Sequence, residues 1–526
     1  MTPCGSLALI LHAHLPFVRH PEHEDFLEED WLFEAITETY LPLIRMMRRL
    51  HEDAVPFRLT MSLTPTLCAM LRDELLQRRY LRHLERLIGL ARQEIGRNRD
   101  QPQLAGLARF YEDFFADARA FFADTLQCDV VRAFRELQDE GGLEIIASAA
   151  THAFLPLLAD FPAAQRAQIL LGRDNYRENF GCEPRGFWLP ECGYNAGLDS
   201  ILQEANLRWF IVDAHALMFG EPRPRAAFFA PCFTPAGPAA FARDRESNRE
   251  IWSAECGYPG DPNYRDFYRD IGFDRSESEL RAFVRPVGFR KFSGIKYHSV
   301  SERGAEKKLY DREAAFAIAD RHALDFLAKR RAQFRELDAM VDSPMIVSPF
   351  DAELFGHWWF EGPQFLETLF REAATLADFH LTTPSEFLAA HPSQQIVRPN
   401  PSSWGEAGFN RVWLDESNAW IYPHLHAATR RMIELARREA NTTDSQTERA
   451  LRQCARELLL AQASDWAFLI KTRTAAEYAT ARTREHLARF NRLFDQLSAD
   501  HLELDFLVEC ESRSPIFPDL DWRYYS

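Results

Sequence analysis

Seven short apolar runs recur along the chain, each giving way to a polar or turn residue and then to a helical stretch. They are SLALILHAHLP (6–16), PFRLTMSLTP (56–65), GLEIIASAATH (142–152), PRGFWLPE (184–191), LRWFIVDAH (207–215), MIVSPFDAE (345–353) and ADFHLTTPSEF (377–387). Runs this short that are apolar on both faces and alternate with helices are parallel strands covered from outside. The pattern predicts an α/β fold, a (β/α) barrel whose excess length lies in insertions. An open doubly wound sheet has the same periodicity and competes with it.

Two stretches interrupt the alternation. Residues 66–130 read as helical throughout (LRDELLQRRYLRHLERLIGLARQEI, then FYEDFFADARAFFAD) and form a helical insertion. Residues 218–300 mix Pro, Gly and both charges (EPRPRAAFFAPCFTPAGPAAFARDRESNREIW) and are expected to be long loops. Loops of that length in a compact enzyme are usually functional or mobile. After VRPNPSSWGEAGFN (398–410) the strand signal ends, and residues 418–500 carry apolar positions at three- and four-residue spacing. The expected organisation is a catalytic barrel over 1–397 holding both insertions, with a C-terminal all-helical domain over 398–526.

Length and charge narrow the picture further. At 526 residues the chain exceeds what one hydrophobic core serves, which agrees with two or three structural units. A net charge of −16 speaks against a nucleic-acid partner, which would need a basic surface. No apolar window is long enough to span a bilayer, and LALIL near the N-terminus has no basic segment before it, so it reads as a first strand rather than a signal peptide. The nine cysteines are scattered and form no CxxC, which fits a reducing, cytoplasmic setting. A monomer is expected.

Candidate chemistry gathers at the ends of the runs. His12 and His14, His152, Glu191, Asp213 and His215, then Asp351 and Glu353 each follow an apolar run. In a parallel barrel these ends open on one shared pocket. Glu191 in WLPE and Asp351 in SPFD form the main pair. Retaining glycoside cleavage needs two carboxyls about 5 Å apart, one ionised as nucleophile and one protonated as acid. Either acid could instead cap the helix after its strand. The HAH at 12–14 places two histidines on one strand face, which with His152, His215 and Asp351 leaves a metal-dependent hydrolase open. The tryptophans favour carbohydrate, because indole faces stack on sugar rings. Trp358 and Trp359 follow Asp351, while Trp404, Trp413 and Trp420 open the helical unit. Trp420 reads as packing; Trp404 and Trp413, among Gly, Asn and Ser, suit a wet cleft wall.

The motifs HAHLPFVRHPE (12–22), ASAATHAFLPLL (147–158), GFWLPECGYNAGLD (186–199), SPFDAELFGHWWFEGP (348–363), SSWGEAGFNRVWLDESNAWIYPHLH (402–426) and ASDWAFLIKT (463–472) stand in an order that resembles the α-glucan branching enzymes of glycoside hydrolase family 57. The resemblance implies a (β/α)7 barrel, a helical insertion and a C-terminal helical domain that shapes the cleft. It implies Glu191 as nucleophile and Asp351 as general acid/base, with His12, His152, Trp404, Trp413 and Asp465 at the substrate; His14 and Trp358, from their places beside His12 and Asp351, are expected there too. It implies amylose, amylopectin or glycogen as donor and acceptor, and no metal or organic cofactor. The implied reaction is retaining transfer that makes α-1,6 branches. An α-amylase-like hydrolase and a catalytically weak glucan-binding protein are the alternatives. Family members carry a loop over the cleft with a tyrosine near its tip. The corresponding stretch, roughly 222–251, has no tyrosine, leaving Phe233 and Phe241 as the expected lid aromatics.

Overall fold

The structure is a computed structural model describing residues 4–253, 256–302 and 304–526. Nine strands occur among these residues: β1 (Ser6–Ala13), β2 (Leu59–Leu63), β3 (Leu143–Ser148), β4 (Gly186–Trp188), β5 (Trp209–Val212), β6 (Cys232–Phe233), β7 (Ala239–Ala242), β8 (Met345–Asp351) and β9 (His380–Leu381). Seven run parallel in the order β7–β5–β4–β3–β2–β1–β8 and make a (β/α)7 barrel. The gap between β7 and β8 is closed without a ladder. The Asp244 N–H donates to the Val347 carbonyl at 2.8 Å, and Asn248 Nδ2 donates to the Pro349 carbonyl at 2.8 Å.

Every residue of β1 is buried, because the strand has apolar neighbours on both faces. Leu7, Leu9 and Leu11 meet the surrounding helices, while Ala8 and Ile10 fill the interior with Ile146, Trp188, Trp209, Ile211, Phe241 and Val347. The lower end is plugged by Phe387, carried on the helix Pro384–Ala390, whose Ser385 Oγ accepts from Trp209 Nε1 at 2.9 Å.

Two strand expectations need correction. Residues 377–387 supply only β9, two residues paired with Ser6 and Leu7 below the point where β2 begins its pairing. The seventh barrel strand is β7, whose sequence AAFA lies inside the stretch expected to be loop. That stretch also holds the β6–β7 hairpin and the helix Arg245–Trp252, whose N-terminus is capped by Asp244 accepting from the Ser247 N–H.

Residues 66–130 are built mainly from the helices Pro65–Arg72, Glu74–Arg97 and Pro102–Ala120. Prolines in the first turn and the Asp73 carboxylate, which accepts from the Leu76 N–H, fix where they start. Beyond the barrel come the helices Ile421–Arg438, Ser445–Ala461, Ser464–Thr472, Ala476–Ser498 and Leu504–Arg513. They set apolar faces against each other, with Met432, Leu451, Leu458 and Phe490 fully buried.

Candidate active site

The inward-facing row of each strand turns polar as it leaves the barrel at the carboxyl end. On β1 the row Ala8, Ile10 continues to His12 and His14; on β2, Thr60 leads to Ser62 and Thr64. On β5 the row Trp209, Ile211 reaches Asp213, on β7 Ala239, Phe241 reaches Arg243, and on β8 Met345, Val347 reaches Asp351. Register then sets neighbours: His12 stands opposite both Ser62 and Asp351.

Glu191 is presented differently. β4 stops at Trp188 and the chain makes a tight turn, Pro190–Cys192, with Glu191 at φ 60° and ψ 22°. His152, beyond the end of β3, is also left-handed at φ 56°. Such conformations cost a residue with a Cβ about 1–2 kcal/mol, so something must hold them. The chain beyond the last strand does. The Trp404 N–H donates to the Glu191 carbonyl at 3.0 Å, and the Ser464 N–H donates to the His152 carbonyl at 3.1 Å. The same two residues grip the side chains. Trp404 Nε1 donates to Glu191 Oε2 at 2.8 Å, and Ser464 Oγ donates to Oε1 at 3.0 Å. Burial pushes the Glu191 carboxyl above its ordinary range and the Asp465 charge adds to this, while the donors Trp404 and Ser464 pull it back.

Asp351 has no side-chain hydrogen bond from any described residue. Burial raises its carboxyl well above the ordinary range, the charges of Glu353 and Glu191 raise it further, and only Arg243 opposes them. Glu353 is itself pushed up to about 7 by burial, although its Oε1 accepts from the Tyr40 hydroxyl at 2.5 Å and from the His14 N–H at 3.2 Å. Arg243 pairs with Asp213 at 2.5 Å, and Asp213 also binds His215 Nδ1 at 2.8 Å.

The histidines form one cluster. His12 Nε2 meets His152 Nε2 at 2.9 Å, and His12 Nδ1 meets Ser62 Oγ at 2.5 Å. His152 Nδ1 meets Ser464 Oγ at 2.9 Å. His14 is held between Thr64 Oγ1 at 2.9 Å and the Asp465 carboxylate at 3.1 Å. His14, His152 and Asp465 bring one possible ligand atom each within 4.8 Å of one another. The His14 and His152 rings, however, are stacked 3.8 Å apart and 20° from parallel. Their in-plane lone pairs therefore lie in separate layers, and every ring nitrogen already has a protein partner. As arranged, the set serves hydrogen bonding rather than a common metal.

Among the aromatics, Trp358 is half exposed and stacked on Phe267 at 4.4 Å, leaving one indole face open. Trp404 stands edge-on to Trp188 beside Glu191. Three expected positions need correction. Trp413 is 2% exposed and stacked on Phe154 at 4.4 Å, so it is packing between barrel and C-terminal domain, not an open cleft wall. Phe233 sits opposite Ala239, the first residue of β7, and lines a depression with Arg185, Arg208, Pro238 and Leu388 at the amino ends of the strands. It is at the far end of the barrel from Glu191. Phe241, the other expected lid aromatic, is buried in the barrel interior. The stretch 222–251 dives to the bottom of the barrel and returns as β7, because AAFA completes the sheet.

Sequence reading missed Ser464, Ser62 and Arg243. Ser464 was hidden as a small polar residue beside the more conspicuous Asp465. Arg243 lies two positions beyond Phe241, so period-2 alternation would have found it once β7 was read as a strand.

The description "Glycosyl hydrolase family 57" matches residues 8–399, and "1,4-alpha-glucan branching enzyme, C-terminal" matches residues 424–525. A 1,4-alpha-glucan branching enzyme from Thermococcus kodakarensis is 32% identical across 98% of this chain and 77% of its own. The alpha-amylase AmyC from Thermotoga maritima is similar in structure, with TM-score 0.92 and 44% identity over 99% of both chains. The GH57-type branching enzyme from Pyrococcus horikoshii gives TM-score 0.88 and 33% identity over 99% of this chain and 97% of its own. The family match reaches every barrel strand and takes in Glu191 and Asp351: the chain belongs to glycosyl hydrolase family 57.

Proposed function

We propose that the protein is a 1,4-α-glucan branching enzyme working by retaining transglycosylation. One observation carries the reading: two carboxyls at one barrel mouth stand in opposite surroundings, Glu191 gripped by two donors and Asp351 by none. Donors favour the ionised form, so Glu191 is the nucleophile; burial among acids favours the protonated form, so Asp351 is the acid.

Glu191 attacks the anomeric carbon of an α-1,4-linked glucan as Asp351 delivers its proton to the departing glycosidic oxygen, leaving a glycosyl ester on Glu191. The ionised Asp351 then takes the proton of an acceptor's 6-hydroxyl. That oxygen attacks the anomeric carbon, the ester bond breaks, and Glu191 is restored as an α-1,6 branch forms. His12, His14, His152 and Asp465 border the donor sugar, and the open face of Trp358 is a stacking surface for the chain. Barrel 1–397 and helical domain 398–526 act as one unit, because the donors to Glu191 come from the second. The nine free cysteines fit a reducing compartment such as the cytoplasm, and no helix among the described residues is long and apolar enough to cross a membrane. The enzyme is proposed to act as a monomer.

A hydrolytic reading is favoured by one finding, the 44% identity to a protein named an alpha-amylase. Amylose incubated with the protein decides between them. New α-1,6 linkages without matching new reducing ends are expected; reducing ends in excess of branches would make it a hydrolase.

A further inference from the structure

Ser464 Oγ lies between Glu191 Oε1 at 3.0 Å and His152 Nδ1 at 2.9 Å. A hydroxyl has one proton to give. An ionised Glu191 can only accept, so it takes that proton, and the contact with His152 must be donated by its Nδ1–H. His152 is buried beside two other histidines, which keeps it neutral and leaves its Nε2 bare. The 2.9 Å contact between the two Nε2 atoms then requires the proton to sit on His12. His12 is likewise buried and neutral, so its Nδ1 is bare and accepts from Ser62 Oγ at 2.5 Å. From Ser62 to Glu191 every donor points the same way.

We propose that Ser464 is a positioning residue for the nucleophile, held as an obligate donor to Glu191 by a one-way hydrogen-bond wire, Ser62–His12–His152, that fixes both histidine tautomers. The proposal rests on reading Glu191 as the nucleophile. Neutral hydroxyls and imidazoles have no intrinsic direction; here the sense is imposed from the Glu191 end, where an ionised carboxylate can only receive a proton, and each partner back to Ser62 follows from it. Whichever Glu191 oxygen forms the glycosyl ester, the other keeps a donor, Ser464 on Oε1 or Trp404 on Oε2. The charged or titratable groups facing Glu191 are His14, His152, Asp465 and Asp351, with Arg243 and Asp213 beyond the adjoining Cys192.

Removing a donor to the charged form raises the carboxyl's pKa. Ser464→Ala is therefore expected to move the acid limb of kcat/KM to higher pH and to lower kcat roughly 10- to 100-fold, with KM little changed. Ser464→Thr keeps the hydroxyl and is expected to restore both. Ser62→Ala, which does not touch Glu191, is expected to shift the limb in the same direction by less. A folded Ser464→Ala protein with an unmoved acid limb would overturn the proposal. Ring ¹⁵N shifts of labelled histidine provide a readout that needs no turnover: His152 is expected as the Nδ1–H tautomer and His12 as the Nε2–H tautomer. Either histidine in the other tautomer would also overturn it. Because the tautomers are read without substrate, failure of the wire is distinct from failure of the nucleophile assignment, which would show as turnover by Glu191→Gln.

Discussion

Glu191, at the end of β4, takes its side-chain hydrogen bonds from Trp404 and Ser464, both beyond the last strand in the chain, whereas Asp351, at the end of β8, takes none from any described residue and faces Glu353 and Arg243 of the barrel itself. Both carboxyls are raised by burial, so burial alone cannot divide their labour. What differs is the source of compensation. The barrel supplies a crowded acid pocket, which suits a group that must hold a proton. The segment after the barrel supplies Trp404 and Ser464, which suit a group that must not. Division of roles at this mouth thus follows a division between the barrel strands and the chain that comes after them, and the positive-φ turns at Glu191 and His152 are each tied to that later segment by a backbone hydrogen bond.

The largest expected effects come from erasing each carboxyl in turn. Glu191→Gln and Asp351→Asn should both abolish branching, but they should differ on a substrate whose leaving group needs no proton, such as an α-glucosyl fluoride. Loss of the nucleophile is expected to cost on the order of 10⁴-fold or more on either substrate. Loss of the acid is expected to cost about 10²–10⁴-fold on glucan and far less in the glycosylation of Glu191 by the fluoride. Burst kinetics with the fluoride would check this. Equal losses by both variants on both substrates would remove the distinction between the two sites.

A smaller effect sharpens the same contrast. Glu353 is half-ionised near pH 7 and carries more charge above it, and that charge helps keep the proton on Asp351. Glu353→Gln retains an acceptor for Tyr40 but removes the charge. The Asp351 pKa should then fall, and the alkaline limb of kcat/KM should move to lower pH by about one unit. The acid limb, governed by Glu191 and its C-terminal donors, should stay in place. Since the acids titrate together, the limbs report the group as a whole, so the difference between variant and parent is the quantity to measure.

Much of this site could be read from the sequence, because strand-end residues in a barrel announce themselves by chain position. Glu191, Asp351 and the histidines each close an apolar run, and the structure brings them to one mouth. Seven barrel strands are expected and seven are present, but one member differs. FHL reads as a barrel strand and AAFA does not, since small residues give little hydrophobic signal while a β-branched or aromatic run gives much. With so weak a signal at AAFA, Arg243 has no strand to mark it and the stretch around Phe233 reads as a loop above the cleft. Burial was also illegible at Trp413, where Gly and Asn neighbours suggested water but Phe154, distant in sequence, covers the ring. Ser464 could not be found from spacing, because what singles it out is a meeting of three chain segments.

The smallest effect expected is none, and it falls on Phe233. As a lid aromatic, its replacement by tyrosine would add a hydroxyl over the glycosyl ester and raise the ratio of transfer to hydrolysis. In the structure the ring lies beside Pro238 and Leu388 at the amino ends of the strands, with the barrel interior of Trp209, Phe241 and Ile10 between it and the catalytic mouth. A hydroxyl added there reaches solvent or the neighbouring Arg208, not a sugar bound at Glu191. Phe233→Tyr should therefore leave the ratio of new α-1,6 links to new reducing ends within error of the parent, measured on amylose at equal conversion. A shifted ratio would mean that the segment before β7 rearranges to reach the cleft. Water exclusion at the nucleophile then falls first to Trp404, whose indole N–H donates to Glu191 and whose ring stands against Trp188.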